Sequence, residues 1–178
     1  MDEITLAKNC IEGDQRAQQK LFEMYAPKMM GVCLRYMKDQ AQAEDVLQDG
    51  FVKVFTKLDK YTGNGSLEGW VRRIMVNTAL DELRKTNKFK TNVSMDDVDY
   101  KVESDADALS SLLEEDLLKL IHEMPDGYKT VFNMFAIEGF SHKEIAEKLG
   151  VSENTSKSQY SRAKAYLRTK VEELEIGR

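Results

Sequence analysis

A run of basic side chains near the carboxyl end of the chain has the chemistry to bind nucleic acid phosphates. Between Asn154 and Val171 there are five Lys or Arg residues and no Asp or Glu. The run opens with short polar side chains, which allow the start of a helix to approach a duplex closely in the major groove. The pattern therefore predicts a helix that reads DNA. Its basic residues are Lys157, Arg162, Lys164, Arg168 and Lys170.

The residues before this run predict the first half of a helix-turn-helix motif. Ser141 and Glu144 have the spacing of a capping box, which opens a helix. Gly150 then permits a sharp turn, and Ala146 is small where two helices must approach each other. An ordinary solvated helix would explain the charge alone, but spacing, turn and charge together favour the DNA-binding motif.

A second basic segment lies at 70–90, directly after the glycine-rich loop 61–66. Its cationic and amide side chains recur at spacings close to four and seven, which places them near one helix face. Such a face beside a Gly/Asn loop suits unstacked single-stranded bases, although a solvated helix side explains the segment equally well. The residues concerned are Asn64, Ser66, Arg72, Arg73, Asn77 and Arg84.

An acidic face lies on a helix predicted over about 41–59. Asp45, Gln48 and Asp49 share one side of it, opposite an apolar stripe. Such charge usually faces solvent, but it also suits docking on a basic protein surface. In the helix predicted before this one, Pro27 and Gly31 weaken the expectation of a continuous element.

The sequence offers no catalytic or metal constellation. His122 and His142 lack Cys or carboxylate partners at ligand spacing, and Cys10 and Cys33 are too few for a zinc site or a disulfide framework. The loop at 61–66 lacks the Lys of a phosphate-binding loop. We therefore expect no enzyme activity, no cofactor and no metal.

Composition and charge distribution limit the possible fold class and domain organisation. The 178 residues are 42% hydrophobic, with only two Pro and few alternating β-branched residues, so an all-α fold is expected. The net charge of −5 is uneven: residues 91–127 carry −9, and the remainder of the chain carries +4. We predict two small helical domains, 1–90 and 109–178, the second a helix-turn-helix, joined by an acidic flexible linker, 91–108. The amino-terminal residues do not resemble a signal peptide and no apolar run would span a membrane, which predicts a cytoplasmic protein without membrane insertion.

Three segments together resemble the extracytoplasmic-function sigma factors of bacterial RNA polymerase. They are DVLQDGFVKVF (45–55), WVRRIMVNTALDELRK (70–85) and GFSHKEIAEKLGVSENTSKSQYSRAKAYLR (139–168). The resemblance spans roughly residues 10–175, and the motifs occur in the family's order.

The resemblance implies a transcription initiation factor that binds core RNA polymerase and directs it to promoters. Asp45, Gln48 and Asp49 would contact the β′ clamp helices, and the polymerase β flap and an anti-sigma factor are further implied partners. The loop at 61–68 and the helix from Trp70 would melt the −10 element and hold a flipped base. Promoter DNA at the −35 element would be read by Lys157, Ser158, Ser161 and Arg162, with Ser161 smaller than the residue the family often has there.

The alternative is a one-component helix-turn-helix regulator with an amino-terminal effector domain. Such a regulator needs a ligand pocket and usually binds a palindrome as a symmetric dimer. The basic segment 70–90 favours the sigma factor, because an effector domain has no need of a cationic face there.

Overall fold

The computed structural model describes residues 2–86 and 114–177, and in these ranges it is helical without a β-strand. The described residues form two compact units, one on each side of the boundary between Lys85 and Thr86. The all-α prediction with two helical domains is therefore confirmed. The linker predicted at 91–108 lies outside the described residues.

The first unit contains four α-helices. They are α1 (Glu3–Ile11), α2 (Gln15–Tyr36), α3 (Gln40–Lys57) and α4 (Leu67–Lys85), with a 3₁₀ turn at Leu58–Lys60. Aspartates cap the first three, because the side chains of Asp2, Asp14 and Asp39 each accept a backbone N–H from the first turn. Helices α2, α3 and α4 pack on one another around a buried apolar core.

Helix α2 continues through Pro27 and Gly31, so the possible interruption does not occur. Pro27 is exposed, and its ring and missing N–H lie on the solvent side of the helix. On the opposite side Tyr25, Met29 and Val32 are almost fully buried. Burial of several such side chains, at about 1.5–3 kcal/mol each, offsets the roughly 3 kcal/mol that an interior proline costs.

Gly50 is a point of close approach between α3 and α4. A Cβ built on Gly50 would overlap the sulfur of Met75 and lie 2.7 Å from its methyl carbon. Met75 is fully buried, so moving its thioether away from a new methyl group would disturb the side chains packed around it. The absence of a side chain at Gly50 therefore fixes how closely α4 packs on α3.

The second unit contains the predicted helix-turn-helix. Its helices are α5 (Glu114–Glu123), α6 (Asp126–Phe132), α7 (His142–Leu149) and α8 (Glu153–Ile176), with a π-helical turn at Asn133–Ile137. The helices α5, α6 and α8 share one apolar cluster, whose buried members are Leu120, Ile121, Met124, Phe132, Ala163, Leu167 and Val171.

The turn between α7 and α8 follows the sequence signals. The capping box of Ser141 and Glu144 is present in full, and Ser152 caps α8 by accepting the N–H of Thr155 at 3.0 Å. Gly150 has φ +69°, which favours glycine, and the N–H of Val151 donates to the Ala146 carbonyl at 3.1 Å. The helix-turn-helix prediction is confirmed.

We predict opposite effects of alanine at two helical glycines of the first unit. Gly50→Ala should lower the free energy of unfolding by about 1 kcal/mol, because overpacking against Met75 outweighs the helix-propensity gain. Gly31→Ala, whose new Cβ has no neighbour within 4 Å, should raise it by about 0.5–1 kcal/mol. Urea unfolding followed by the fluorescence of Trp70, the single tryptophan, measures both. Shifts of the same sign would contradict the close packing at Gly50.

Candidate nucleic-acid interface

The long helix α8 separates a buried face from an outward polar face. Ser156, Gln159 and Ala163 point into the second unit and are at most 3% exposed. The four residues predicted to read the −35 element all lie on the other side. Lys157 is exposed and Ser158, Ser161 and Arg162 are half-buried, at the i, i+1, i+4, i+5 spacing of one helix face. The helix therefore presents these side chains together.

A histidine joins the two helices of the motif. The His142 Nδ1 lies 2.8 Å from the hydroxyl oxygen of Ser156, which is fully buried in α8. The imidazole also stacks on Phe135, with ring centroids 4.3 Å apart, and lies 5.9 Å from the Tyr160 ring. These contacts fix where the first turns of α8 lie against α7. The sequence pattern was assessed at His142 only for a metal or catalytic role, and this structural role was missed.

The glycine-rich loop of the first unit is held by its own side chains. The Tyr61 hydroxyl donates to the Gly65 carbonyl at 2.9 Å, and its ring lies 5.9 Å from Trp70. Both Gly63 and Gly65 have positive φ, a conformation that favours glycine. Asn64 is exposed at the tip of the loop.

Ser66 is the cap of α4. Its hydroxyl oxygen accepts the N–H of Gly69 at 3.0 Å, as expected of a serine that directly precedes a helix. Ser66 is also exposed, at the end of the loop and next to the first turn of the helix. Ser66 thus serves the local fold and also borders the predicted base pocket.

Helix α4 brings together most, but not all, of its predicted DNA contacts. At 100° per residue, Arg73, Asn77 and Arg84 fall within about 40° of one another on the outward side. Arg72 is about 100° away from Arg73 and does not share that face. The guanidinium of Arg84 pairs with Asp81 at 3.2 Å. The outward face is thus a cationic strip interrupted by one carboxylate.

The acidic face of α3 forms one wall of a groove against α4. Asp45, Gln48 and Asp49 are exposed and line it, as predicted from their spacing. Gln42, Val46 and Glu82 complete the lining, and Glu82 comes from α4. Gln42 lies one turn before Asp45 and was detectable from the helical period, whereas Glu82 joins only through the packing of α4 on α3. The groove is lined by three carboxylates, two amides and the apolar side chain of Val46.

No metal or membrane site is apparent in the part of the chain that the structure describes. Within residues 2–86 and 114–177, His, Cys, Asp and Glu side chains form no group of three that could hold a metal ion. None of the helices described there is both long enough and apolar enough to cross a bilayer.

Comparisons with known proteins agree with these observations. The family models Sigma-70 region 2 and Sigma-70 region 4 match residues 21–89 and 114–167. The chain is 29% identical to the ECF RNA polymerase sigma-E factor of Haemophilus influenzae, over 95% of each chain. It is 28% identical to the ECF RNA polymerase sigma factor SigW of Bacillus subtilis, over 94% of this chain and 95% of that one.

A solved structure shares the fold. The sigma factor RpoE of Bartonella quintana, determined in complex with the anti-sigma factor NepR, matches with a TM-score of 0.51 at 20% identity. The match covers 90% of this chain and 98% of that one.

The His142 contact predicts a pH dependence of the second unit. Burial, followed by the nearby charge of Lys157, lowers the pKa of His142 from its ordinary value of 6.5. The native state therefore binds this proton more weakly than the unfolded chain does. Stability should be full above about pH 6.5 and should fall as the pH drops from there through the lower native pKa.

Two measurements test this. An NMR titration of the two histidines should show His142 titrating below 6.5, with His142→Gln assigning its signal. The free energy of unfolding of the second unit, measured with denaturant between pH 5 and 7.5, should rise with pH in the wild type. In His142→Gln the slope of this free energy against pH should be smaller by the contribution of His142. A slope that persists unchanged in His142→Gln would contradict the assignment.

Proposed function

Because this chain belongs to the extracytoplasmic-function group of bacterial RNA polymerase sigma factors, we propose that its two units divide promoter recognition between them. The first, over 1–90, binds core polymerase and opens the −10 element. The second, over 109–178, reads the −35 element as duplex. The observation that carries this proposal is that α4 and α8 each bury one side and present a polar, cationic strip on the other.

The −35 assignment rests on the outward face of α8. In a helix-turn-helix the amino-terminal turns of the second helix enter the major groove. Lys157 and Arg162 supply charge for phosphates or guanine edges, and Ser158 and Ser161 are short enough to let the backbone approach. The α7–α8 joint at His142 supports this role, because base readout requires a recognition helix held at a fixed angle.

The −10 assignment rests on the loop 61–66 and α4. Opening a duplex costs a few kcal/mol per unstacked base, so a site that captures an extruded base favours the open state. Arg73, Asn77 and Arg84 follow one strip of α4, where an amide between two cations suits a base edge flanked by phosphates. Arg72 is assigned a contact beside this strip, and Asn64 and Ser66 border it from the loop.

The groove between α3 and α4 is our candidate for polymerase binding. The carboxylates of Asp45 and Asp49, with the amide of Gln48 beside them, are suited to a basic protein surface, and we assign this face to the β′ clamp helices. The β flap is assigned to the second unit. Acting through binding alone, the protein would work in the cytoplasm, where bacterial polymerase transcribes, and would have no catalytic step of its own.

An anti-sigma factor is the proposed regulator. The relative from Bartonella quintana was solved with an anti-sigma factor, and CnrH, a second similar structure at a TM-score of 0.50, with the cytosolic domain of CnrY. By analogy, we assign to this chain a partner that covers polymerase-binding surfaces until a signal releases it.

The first test of the proposal concerns the −35 element. Promoters are first selected with holoenzyme from a library randomised at both elements. Lys157→Ala should then reduce the preference for the selected −35 sequence about tenfold, since one lost base or phosphate contact is worth roughly 1–3 kcal/mol. Lys119→Ala removes the same charge from exposed α5 and is the matched control. Unchanged −35 preference in Lys157→Ala would show that the reading face is elsewhere.

The second test separates binding from opening. Asn77→Ala should leave closed-complex affinity within about twofold but slow open-complex formation about tenfold, because the lost amide contact exists only with the extruded base. Permanganate reactivity of unpaired thymines reports the opening. Gln19→Ala, an exposed amide on α2, is the control. Equal losses in both steps would exclude a base-pocket role for Asn77.

A further inference from the structure

We propose that Glu3, in the first turn of α1, is a positioning residue for the loop 61–66 and the start of α4. On this inference, which rests on the proposed function of that loop, α1 sets the geometry in which an extruded promoter base is received. Glu3 lies outside the segment 21–89 that matches Sigma-70 region 2, yet its contacts fall inside that segment.

Both carboxylate oxygens of Glu3 accept hydrogen bonds from the rest of the unit. One oxygen accepts the backbone N–H of Leu67, the first residue of α4, at 2.9 Å. The other accepts the Tyr25 hydroxyl of α2 at 3.3 Å. A single half-buried side chain thus links α1, α2 and α4 at the point where the loop ends.

The carboxylate also completes the capping of α4. The first N–H groups of a helix have no intrahelical acceptor, and negative charge is favourable there. Ser66 satisfies the N–H of Gly69, and Glu3 satisfies that of Leu67. The helix that carries Asn77 therefore begins at a residue fixed from another helix, 64 positions earlier in the chain.

Helix α1 touches the loop at a second point. A Cβ built on Gly63 would lie 3.3 Å from the terminal methyl of Ile4, which shows that the loop backbone passes directly over α1. The loop is therefore supported from α1 at Gly63 in its middle and at Leu67 just after it. Between these points, the hydrogen bond from Tyr61 to the Gly65 carbonyl closes the loop on itself.

The electrostatics keep this arrangement constant near neutral pH. Burial and the negative charge of Glu3 raise the pKa of Tyr25 to about 12. Burial and the same charge also raise the pKa of Tyr61. Both hydroxyls therefore stay protonated and remain hydrogen-bond donors. Replacing the Glu3 carboxylate with a methyl group removes the acceptor of both the Leu67 N–H and the Tyr25 hydroxyl, so the start of α4 loses its hydrogen bond to α1.

The test measures base capture by the holoenzyme. The probes are a single-stranded oligonucleotide carrying the selected −10 sequence and a set in which each base in turn is replaced by an abasic site. The affinity ratio of intact to abasic probe, at the position of greatest loss, reports how well the pocket holds its base. A ratio is insensitive to the fraction of protein that is folded, which separates positioning from loss of stability.

Glu3→Ala should reduce this ratio about fivefold to tenfold, in line with the loss of one charge-assisted hydrogen bond. Glu3→Gln should give a ratio between those of Glu3→Ala and wild type, because its amide oxygen still accepts the Leu67 N–H. If Glu3→Ala does not fold, Glu3→Gln provides the test instead. Glu12→Ala removes an exposed carboxylate just beyond the end of the same helix and should keep the wild-type ratio.

The outcomes distinguish the positioning role of Glu3 from the proposed base pocket itself. If wild type discriminates against the abasic probe and both Glu3 variants do so equally well, the positioning role is wrong and the proposed base pocket stands. If wild-type holoenzyme discriminates at no position, the proposed pocket fails, and the role of Glu3 fails with it.

Discussion

The division of a helix into a buried side and an outward side is the constraint on which this structure depends. Helices α4 and α8 each bury an apolar stripe, and that burial fixes which residues face outward. Gly50 sets how closely α4 packs on α3, and the His142–Ser156 contact sets how α8 lies against α7. The core beneath the polar strips therefore sets which way their side chains face.

Charge distribution explains how an acidic chain fits a DNA-binding role. The net charge of −5 comes from residues 91–127, and the helices proposed to contact promoter DNA are cationic. Neither unit has the large positive charge that makes a protein bind duplex DNA tightly by itself. When polymerase holds both DNA-binding surfaces of one chain near the promoter, binding at one surface raises the effective concentration of the other, and the overall affinity increases. The charge distribution therefore favours a protein that binds promoter DNA together with polymerase.

The sequence predicts local features well and long-range contacts poorly. Capping by Ser141, Ser152 and Ser66 follows from residue types within four positions, and the structure contains all three caps. By contrast, Glu3 meets Leu67 from 64 residues away, and Glu82 reaches the acidic groove only through helix packing. No periodicity encodes such contacts, because they depend on the angle and separation at which helices pack. The outward helix faces of the site can therefore be predicted from the sequence, whereas the long-range contacts that hold these helices in place cannot.

Reconstituted initiation tests the central claim most directly. Bacterial core polymerase, this protein and a library-selected promoter are combined, and transcripts are mapped alongside duplex binding by the protein alone. The account predicts transcripts from a fixed start site only when both proteins are present. It also predicts that the protein alone binds the duplex no more tightly than about micromolar. Tight binding to duplex DNA as a symmetric dimer, with no initiation when polymerase is added, would contradict it and favour a one-component regulator.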